Sequence, residues 1–352
     1  MLDSPQSKPS NAVIRRRRIV ALLLVIGLIG GVAYLNRASI RAGFDVAFGA
    51  EYVGAGTGSV EITIRSGDDG SDVARALVDA GVTKTFSATY KSIIAEDLVF
   101  YPGVFKLAKG MNSKLAVAAL KDRSNFVDIS ILIKEGTRAS NIFKMLSEKY
   151  GTPLADFEKV QPSDLGLPKE AVNLDGYLFP AKYTFDPGQS AISMLKTMHQ
   201  RMVRALDEAG VKPNDVPRIL TMASIIQREG RYVEDFYKIS RVFYNRLDIN
   251  MALQSDATVS YAAGTVSYTT TEAQRAADNP WNTYRHPGLP IGPISAPGND
   301  AIDAALHPAK GTWIFFCTVN LETGETEFTT TLAEHEASVA KWRAWMKANP
   351  GW

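Results

Sequence analysis

One glutamate lies where an apolar side chain would be expected. In LTMASIIQREGRY, residues 220–232, the apolar residues Met222, Ile225 and Ile226 recur at the spacing of one helix face. Glu229 continues that face, three residues after Ile226, so its carboxyl group belongs on the buried stripe of a helix. Burial disfavours the charged form of a carboxyl group. A carboxyl group in this position keeps its proton near neutral pH, as a general acid must.

The flanking residues predict where this helix begins and ends. Asp215 is a typical N-terminal cap and Pro217 fits a first helical turn. Gly230 is typical of the residue that ends a helix. Glu229 is therefore expected in the last turn, where the partial negative charge of the helix terminus also disfavours an ionised carboxylate.

A structural role for Glu229 is the alternative. At a frayed helix end it would form an ion pair with Arg231 or Arg246. The residues further on favour chemistry, because polar and aromatic side chains suited to binding sugars follow a second predicted helix. These are Asn245, Gln254, Ser255 and Asp256 and, in a long loop with five prolines at 279–298, Trp281, Asn282, Tyr284 and Arg285.

Composition limits the classes of protein that the chain can belong to. Its 352 residues are 45% hydrophobic and 22% charged, which predicts a globular protein of two or three domains. The 39 basic and 37 acidic residues nearly balance, so there is no footprint of nucleic-acid binding. Cys317 is the single cysteine, which excludes an intrachain disulfide. The four histidines lack the close spacing of a metal site, and we expect no metal or cofactor.

The N-terminal residues predict a membrane anchor. Four arginines, Arg15 to Arg18, precede an uncharged run from Ile19 to Leu35. This pattern predicts a cytoplasmic tail (1–18), one transmembrane helix (19–36) and a linker (37–58), with the remainder outside the cytoplasm. A cleaved signal peptide or a buried core helix is the alternative. The small residues at 47–50 lie too far from the apolar run for usual cleavage.

Residues 59–150 repeat a strand–turn–helix pattern. SVEITIRSG alternates like a strand, and SDVARALVDAG follows as a helix with Ser71 as the expected cap. The segment DISILIKEGTRASNIFKMLSEKYG repeats the unit without gaps. The whole resembles a LysM-like β-α-α-β glycan-binding module, and a generic spacer is the alternative. We predict an α+β protein in which a connector (151–195) joins this module to a larger mixed α/β catalytic domain (196–352).

Several motifs resemble one family in a shared order. They are ASIIQREG, VFYNRL, LQSDATVSYA, NTYRHPGLPIGPISAPG, HPAKGTWIFF and EFTTTLAEHEASV, preceded by LDGYLFPAKYTF. Together they resemble the YceG-like family, the endolytic murein transglycosylases, over roughly residues 60 to 340. The resemblance implies cleavage of peptidoglycan between N-acetylmuramic acid and N-acetylglucosamine without water. It also implies work on nascent strands at the cytoplasmic membrane, beside synthases such as penicillin-binding proteins.

The resemblance also implies roles for individual residues. The family's catalytic acid is the second of a Glu-x-Glu pattern and falls on Glu229, whereas the first position is Gln227. Further departures are Asp175 for a usual glutamate, and Ala181 and Lys182 for a usual Asp-Thr. Substrate positioning is expected of Asn245, Gln254, Ser255, Asp256, Asn282 and Tyr284.

Two other functions remain open from the sequence. A muramidase would use water, with Asp256 as the second carboxylate that a hydrolase of the usual kind needs. A non-catalytic scaffold would bind the wall without cutting it.

Overall fold

The structure is a computed structural model. It describes residues 49–97, 99, 101–265 and 270–350, with parts of 20–39, namely residues 20, 22–23, 25–27, 29–32, 34–37 and 39. The chain divides into two compact units, Met1–Val127 and Asp128–Trp352. The predicted transmembrane helix at 19–36 lies partly outside the described residues. Among those described, no helix is both long enough and apolar enough to cross a membrane.

Between residues 49 and 127, the described part of the first unit contains a small antiparallel sheet and three α-helices. In chain order these are β1 (Ala55–Ile64), α1 (Gly70–Asp79), α2 (Phe86–Ala95), β2 (Gly103–Met111), α3 (Ser113–Lys121) and β3 (Phe126–Val127). The sheet order is β1-β2-β3, and alternate residues such as Ile62, Ile64 and Phe105 face a buried core with Leu77. The order β1-α1-α2-β2 agrees with the predicted β-α-α-β order. Whether the unit is LysM-like in function stays a prediction.

Local details of this unit differ from the prediction. The N-terminal cap of α1 is Asp69, not Ser71, because the Asp69 carboxylate accepts from the backbone N–H groups of Ser71 and Asp72. Asp72 in turn accepts from the Asp69 N–H, which completes a capping box. Strand β1 begins at Ala55, inside the stretch that we predict to be linker.

The second unit is mostly helical. Its elements are β4 (Ile131–Leu132), α4 (Ala139–Tyr150), α5 (Leu154–Glu158), β5 (Lys182–Tyr183), α6 (Ala191–Glu208), α7 (Val216–Glu229), α8 (Val233–Asp248), α9 (Asp256–Ala262), α10 (Glu272–Ala276), α11 (Asn299–Leu306), β6 (Phe315–Asn320), β7 (Glu325–Thr329) and α12 (Leu332–Ala348). β4 pairs with β5 and β6 with β7, both antiparallel. The molecule is thus of the mixed α and β class that the sequence predicts.

The second copy of the repeated pattern lies in this second unit. Ile142 and Leu146 of α4 are buried in one apolar cluster with Met194 and Met198 of α6. The segment 131–150 therefore packs with the predicted connector, whereas the predicted module ends at residue 150. Similar local patterns have found different packing partners.

Helix α7 forms the centre of the second unit. All eight residues from Ile219 to Ile226 are buried, so the helix is enclosed on every side. It begins with Pro217 in its first turn and ends at Glu229, as predicted. The backbone of Gly230 is extended, with φ −91°, so no left-handed turn requires glycine there. A Cβ at Gly230 would lie 2.4 Å from Phe236 Cδ1, which explains the glycine by close packing.

Candidate active site

An open cavity of about 470 Å³ adjoins the C-terminal end of α7. Glu229 lies in its wall, and the remaining lining comes from α8, the loop into α9, the 279–298 loop, β6 and α12. The lining residues are Glu229, Phe243, Arg246, Leu253, Gln254, Ser255, Asp256, Tyr284, Phe315, Phe316, Leu332 and His335. Two carboxyl groups and several apolar rings thus share one pocket, as is typical of a ligand-binding site.

Two donors from the start of α9 hold the Glu229 carboxyl group. The Ser255 hydroxyl donates a short hydrogen bond to Oε1, and the backbone N–H of Ala257 donates a second. Ser255 is the residue that caps α9, yet its hydroxyl does not cap the helix because it is bonded to Glu229. The N-terminus of one helix therefore meets the C-terminus of another at this carboxyl group.

The pKa of Glu229 lies above its ordinary value of 4.5. Burial is the largest cause, and the negative charge of Asp256 acts in the same direction. The hydrogen bonds from Ser255 and Ala257 and the charge of Arg228 act in the opposite direction. Since burial outweighs these donors, the carboxyl group holds its proton to higher pH than an ordinary glutamate.

The ion-pair alternative for Glu229 does not fit the structure. The Arg231 guanidinium donates to the carbonyls of Leu321 and Glu322, and Arg246 donates to those of Ile314 and Leu253. Over the ranges that the structure describes, no ion pair joins Glu229 to either arginine. The two arginines fix the backbone around the pocket instead.

Asp256 is the second carboxylate of the pocket. Its Oδ1 accepts from the Thr270 hydroxyl at 2.6 Å and from the Tyr284 hydroxyl at 3.0 Å. It is also the first residue of α9, where the positive end of the helix dipole favours a negative charge. Tyr284 itself has a raised pKa, because of burial and then the charge of Asp256, so it remains a donor. The structure brings Ser255, Asp256 and Tyr284 together beside Glu229, and their roles toward substrate stay a prediction.

Gln254 lines the pocket through a strained backbone. Its φ is +48°, in the left-handed region that residues other than glycine rarely adopt. The Gln254 N–H donates to the Thr283 carbonyl at 3.1 Å, and the Ser255 N–H donates to the Thr283 hydroxyl at 3.0 Å. These two bonds hold the turn that aims Ser255 at Glu229. Strained residues of this kind cost about 1–3 kcal/mol and cluster at functional sites.

Two predicted substrate-binding residues have other roles in the structure. The Asn245 amide donates to the carbonyls of Gly311 and Trp313, at 3.2 and 2.8 Å, and does not line the cavity. Asn282 is 1% exposed, and its amide donates to three backbone carbonyls between residues 274 and 277. Its Oδ1 accepts from the Tyr284 N–H at 3.0 Å. Their amides thus fix neighbouring loops, and a role of Asn245 and Asn282 in positioning substrate stays a prediction.

The four departures from the family pattern lie away from the pocket lining. Gln227 accepts from the Gly298 N–H at 2.9 Å, just before α11. Ala181 accepts through its carbonyl from Ile133, and exposed Lys182 pairs with a carboxylate of the 128–130 turn. The Gln227 side chain, the Ala181 carbonyl and the Lys182 side chain thus each connect neighbouring segments of the second unit.

Asp175 is the fourth departure and is buried. Its carboxylate accepts from the Ala139 N–H at 2.7 Å, which caps α4, and from the Tyr261 hydroxyl at 2.8 Å. Burial raises its pKa, while these two donors and the charge of Arg138 lower it. Because Tyr261 lies on α9, Asp175 holds the far end of the helix that carries Asp256.

Several pocket residues were missed by reasoning from the sequence. Phe315, Phe316 and His335 come from the β6–β7 hairpin and α12, roughly a hundred residues after Glu229. The local sequence of this hairpin and helix gives two paired strands and a capped helix. It carried no signal that they would return to the pocket.

The fold and the pocket together belong to a known class of protein. Residues 62–341 match the YceG-like family, and the chain belongs to that family. A crystal structure of a YceG-like protein from Listeria monocytogenes superposes with a TM-score of 0.53 at 30% identity, covering 80% of this chain and 99% of that one.

Relatives of established name are found in bacteria. The endolytic murein transglycosylase of Bacillus subtilis (strain 168) is 32% identical over 311 residues, which is 81% of this chain and 85% of the relative. The protein of the same name from Streptococcus pneumoniae (strain D39) is 27% identical over 324 residues. That match covers 80% of this chain and 58% of the longer streptococcal protein.

Proposed function

We propose that the chain is a peptidoglycan lytic transglycosylase with Glu229 as its catalytic acid. It would cut glycan strands between N-acetylmuramic acid and N-acetylglucosamine and leave 1,6-anhydro ends. One observation carries the proposal: a carboxyl group with a raised pKa lies in an open cavity, held by a hydroxyl and a backbone N–H. Membership of the YceG-like family and the shared name of the relatives support the substrate.

The proposed reaction needs a single carboxyl group. Ser255 donates to Oε1 of Glu229, so the proton belongs on Oε2. That proton passes to the bridging glycosidic oxygen as the bond to the anomeric carbon breaks. The C6 hydroxyl of the same sugar then attacks the anomeric carbon. Ionised Glu229 takes the proton of this hydroxyl, so the acid is restored and no water is consumed.

Asp256 would support this reaction by its charge. Cleavage of a glycosidic bond passes through a transition state with positive charge near the anomeric carbon. A carboxylate that accepts from two hydroxyl groups stabilises such a charge from across the pocket. Its charge also raises the pKa of Glu229, which keeps the acid protonated before the reaction.

A muramidase is the second candidate, because Asp256 lines the same cavity as Glu229. In that reaction a water molecule or Asp256 would attack the anomeric carbon, and the product would carry a reducing end. The two candidates therefore differ in a product that can be weighed.

Mass spectrometry of digested peptidoglycan tests both candidates. The purified full-length chain is compared with its Glu229→Gln variant on the same glycan strands. Anhydro-muramic ends released by the wild type alone support the proposal. Reducing ends would favour the muramidase and direct attention to Asp256. Equal fragments from both proteins, or none from the wild type, would contradict the catalytic role of Glu229.

We also propose that residues 19–36 anchor the chain in the cytoplasmic membrane, with the N-terminus inside. The basic block before the uncharged run supports this orientation. An enzyme so anchored would act beside membrane-bound synthases on nascent strands. Fractionation of cells, protease protection of an N-terminal tag and crosslinking to synthases test these points. A tag that is digested from outside would contradict the orientation.

A further inference from the structure

The pocket wall opposite α7 contains a histidine that the proposed reaction does not use. His335 lies in the second turn of α12, and its ring stacks on Phe315 of β6, with centroids 4.9 Å apart and an interplanar angle of 13°. Phe315 also lies under the Arg246 guanidinium, 5.4 Å from the ring centroid. All three side chains line the cavity that contains Glu229.

One ring nitrogen of His335 lacks a partner within the described part of the chain. Nδ1 is buried and has no hydrogen bond to any described residue. Buried polar groups are almost always paired, so Nδ1 is an exception. Because Nδ1 is closed off and His335 lines the cavity, Nε2 is the ring nitrogen left to meet a ligand there.

The charges around the ring favour its neutral form. Arg246 approaches from α8 and is fixed there by the carbonyls of Ile314 and Leu253. A protonated imidazole would place a second positive charge near it and a buried Nδ1–H without an acceptor. Burial and then Arg246 lower the pKa of His335, and only Glu336, on the same helix, raises it. A neutral ring with its proton on Nε2 leaves Nδ1 as an unpaired acceptor, which costs less than an unpaired donor.

We propose that His335 is a substrate-positioning residue, whose Nε2–H donates to a hydroxyl or acetamido oxygen of the glycan in the pocket. The inference rests on the proposed function for the identity of the ligand. Stacking on Phe315 fixes the plane of the ring, so the donor direction is set before substrate binds. The sugar would thus pair with Nε2, while Nδ1 stays without a partner among the described residues.

Acid conditions would then weaken binding, because protonation puts a hydrogen on buried Nδ1, where no described residue accepts it, and so disturbs the fixed position of the ring. Protonation of His335 places a cation beside Arg246, whereas Glu229 of α7, Asp256 of α9 and Glu336 of α12 are the acidic groups around the same space. Glu229 is more fully protonated at low pH, so it gives the rate profile no acid limb. His335 can supply one.

Substitutions that separate the ring from its nitrogens test the proposal. His335→Phe keeps the stacking and removes the donor, while His335→Gln keeps a donor that does not titrate. His307→Phe is the matched control, since that histidine is exposed and outside the cavity. We expect His335→Phe to lower kcat/KM by roughly two- to twelvefold, the contribution of one neutral hydrogen bond. The acid limb of the profile should flatten in both His335 variants and remain in the control.

The same glycan is then titrated onto Glu229→Gln with and without His335→Phe, which measures binding without cleavage. Binding that is weaker by the same factor supports a positioning role for His335, even if the wild type leaves no anhydro ends. The binding experiment therefore distinguishes failure of this inference from failure of the proposed cleavage reaction. Should His335→Phe fold poorly, His335→Gln must still lose the acid limb. Wild-type kcat/KM, wild-type affinity and an unchanged acid limb in these variants would overturn the proposal.

Discussion

Replacing Ser255 with alanine should move the alkaline limit of cleavage to higher pH. The acid must be protonated to act, so kcat/KM falls as Glu229 ionises. The Ser255 hydroxyl donates to Oε1 and stabilises the ionised form, which lowers the pKa of Glu229. Without that hydroxyl the carboxyl group stays protonated to higher pH, and the alkaline limb of the pH–rate profile follows.

The size of the shift follows from the strength of the bond. A hydrogen bond to a charged group contributes about 1.5–3 kcal/mol, and 1.36 kcal/mol corresponds to one pH unit. The alkaline limb of Ser255→Ala should therefore rise by about one to two pH units. The maximal rate should also fall, because the carboxyl group loses one of the two donors that orient it.

A second variant should shift the alkaline limb of the pH–rate profile in the opposite direction. Asp256 raises the pKa of Glu229 by its negative charge, so Asp256→Asn should move the alkaline limb to lower pH. Ser240→Ala is the matched control, because Ser240 is a buried serine of the neighbouring helix whose hydroxyl has no partner among the described residues. It should leave the limb where it is.

The assay is release of glycan fragments between pH 4 and 10, with initial rates at substrate concentrations well below KM. The carboxyl carbon-13 resonance of Glu229 gives the same titration without turnover, if a variant is too slow. A limb that stays in place in Ser255→Ala, or moves to lower pH, would refute the assignment of Glu229 as the titrating acid. So would equal shifts in Ser255→Ala and Ser240→Ala.

Three further predictions concern stability. Glu229→Gln should raise the melting temperature at pH 8 and lose this advantage near pH 4. The pKa of Glu229 in the folded protein is raised above 4.5, so the protonated carboxyl group contributes its full stability below pH 4.5 and loses it as pH rises. A difference in melting temperature between the variant and the wild type that does not change with pH would contradict this. Gly230→Ala should cost about 1–3 kcal/mol in chemical denaturation, since its Cβ meets the Phe236 ring, and a neutral result would be inconsistent with that contact. Tyr261→Phe should cost about 1–3 kcal/mol, because the buried Asp175 carboxylate loses a donor, and unchanged unfolding would show that this bond contributes nothing.

The position of the candidate acid could be predicted because it depends on local features. A proline in the first turn and a glycine after the last residue bracket α7, and the spacing of apolar residues gives its buried face. Glu229 follows from these alone. The reason for the glycine at position 230 could not be predicted in the same way. It lies in the next helix, where the Phe236 side chain leaves no room for a Cβ.

Roles that depend on distant partners could not be predicted. Asn245 and Asn282 are polar residues near the pocket in sequence, yet their amides are bonded to backbone carbonyls of folded loops. A sequence gives the type of a side chain but not which carbonyl it will meet. His335 shows the converse, because a residue far along the chain enters the pocket only after the β6–β7 hairpin has packed on α8.

The repeated strand–turn–helix pattern shows the same limit on a larger scale. The segments at 59–80 and 128–149 align without gaps, which predicts one module. Their apolar faces are equally able to pack on several partners. The second copy packs on α6, where Met194 and Met198 are fully buried, and this choice lies outside the repeat itself.

Helix α9 sets the distance between the carboxyl groups of Glu229 and Asp175, because each group is bonded to residues at one of its ends. At its start Ser255 and Ala257 bind Glu229, and near its end Tyr261 binds Asp175. An insertion of one residue between these points would turn the later part of the helix by about 100° and advance it by about 1.5 Å. One of the two attachments would then be lost. Insertions and deletions should therefore be excluded from residues 255–261 in any working relative, even where surrounding loops vary in length.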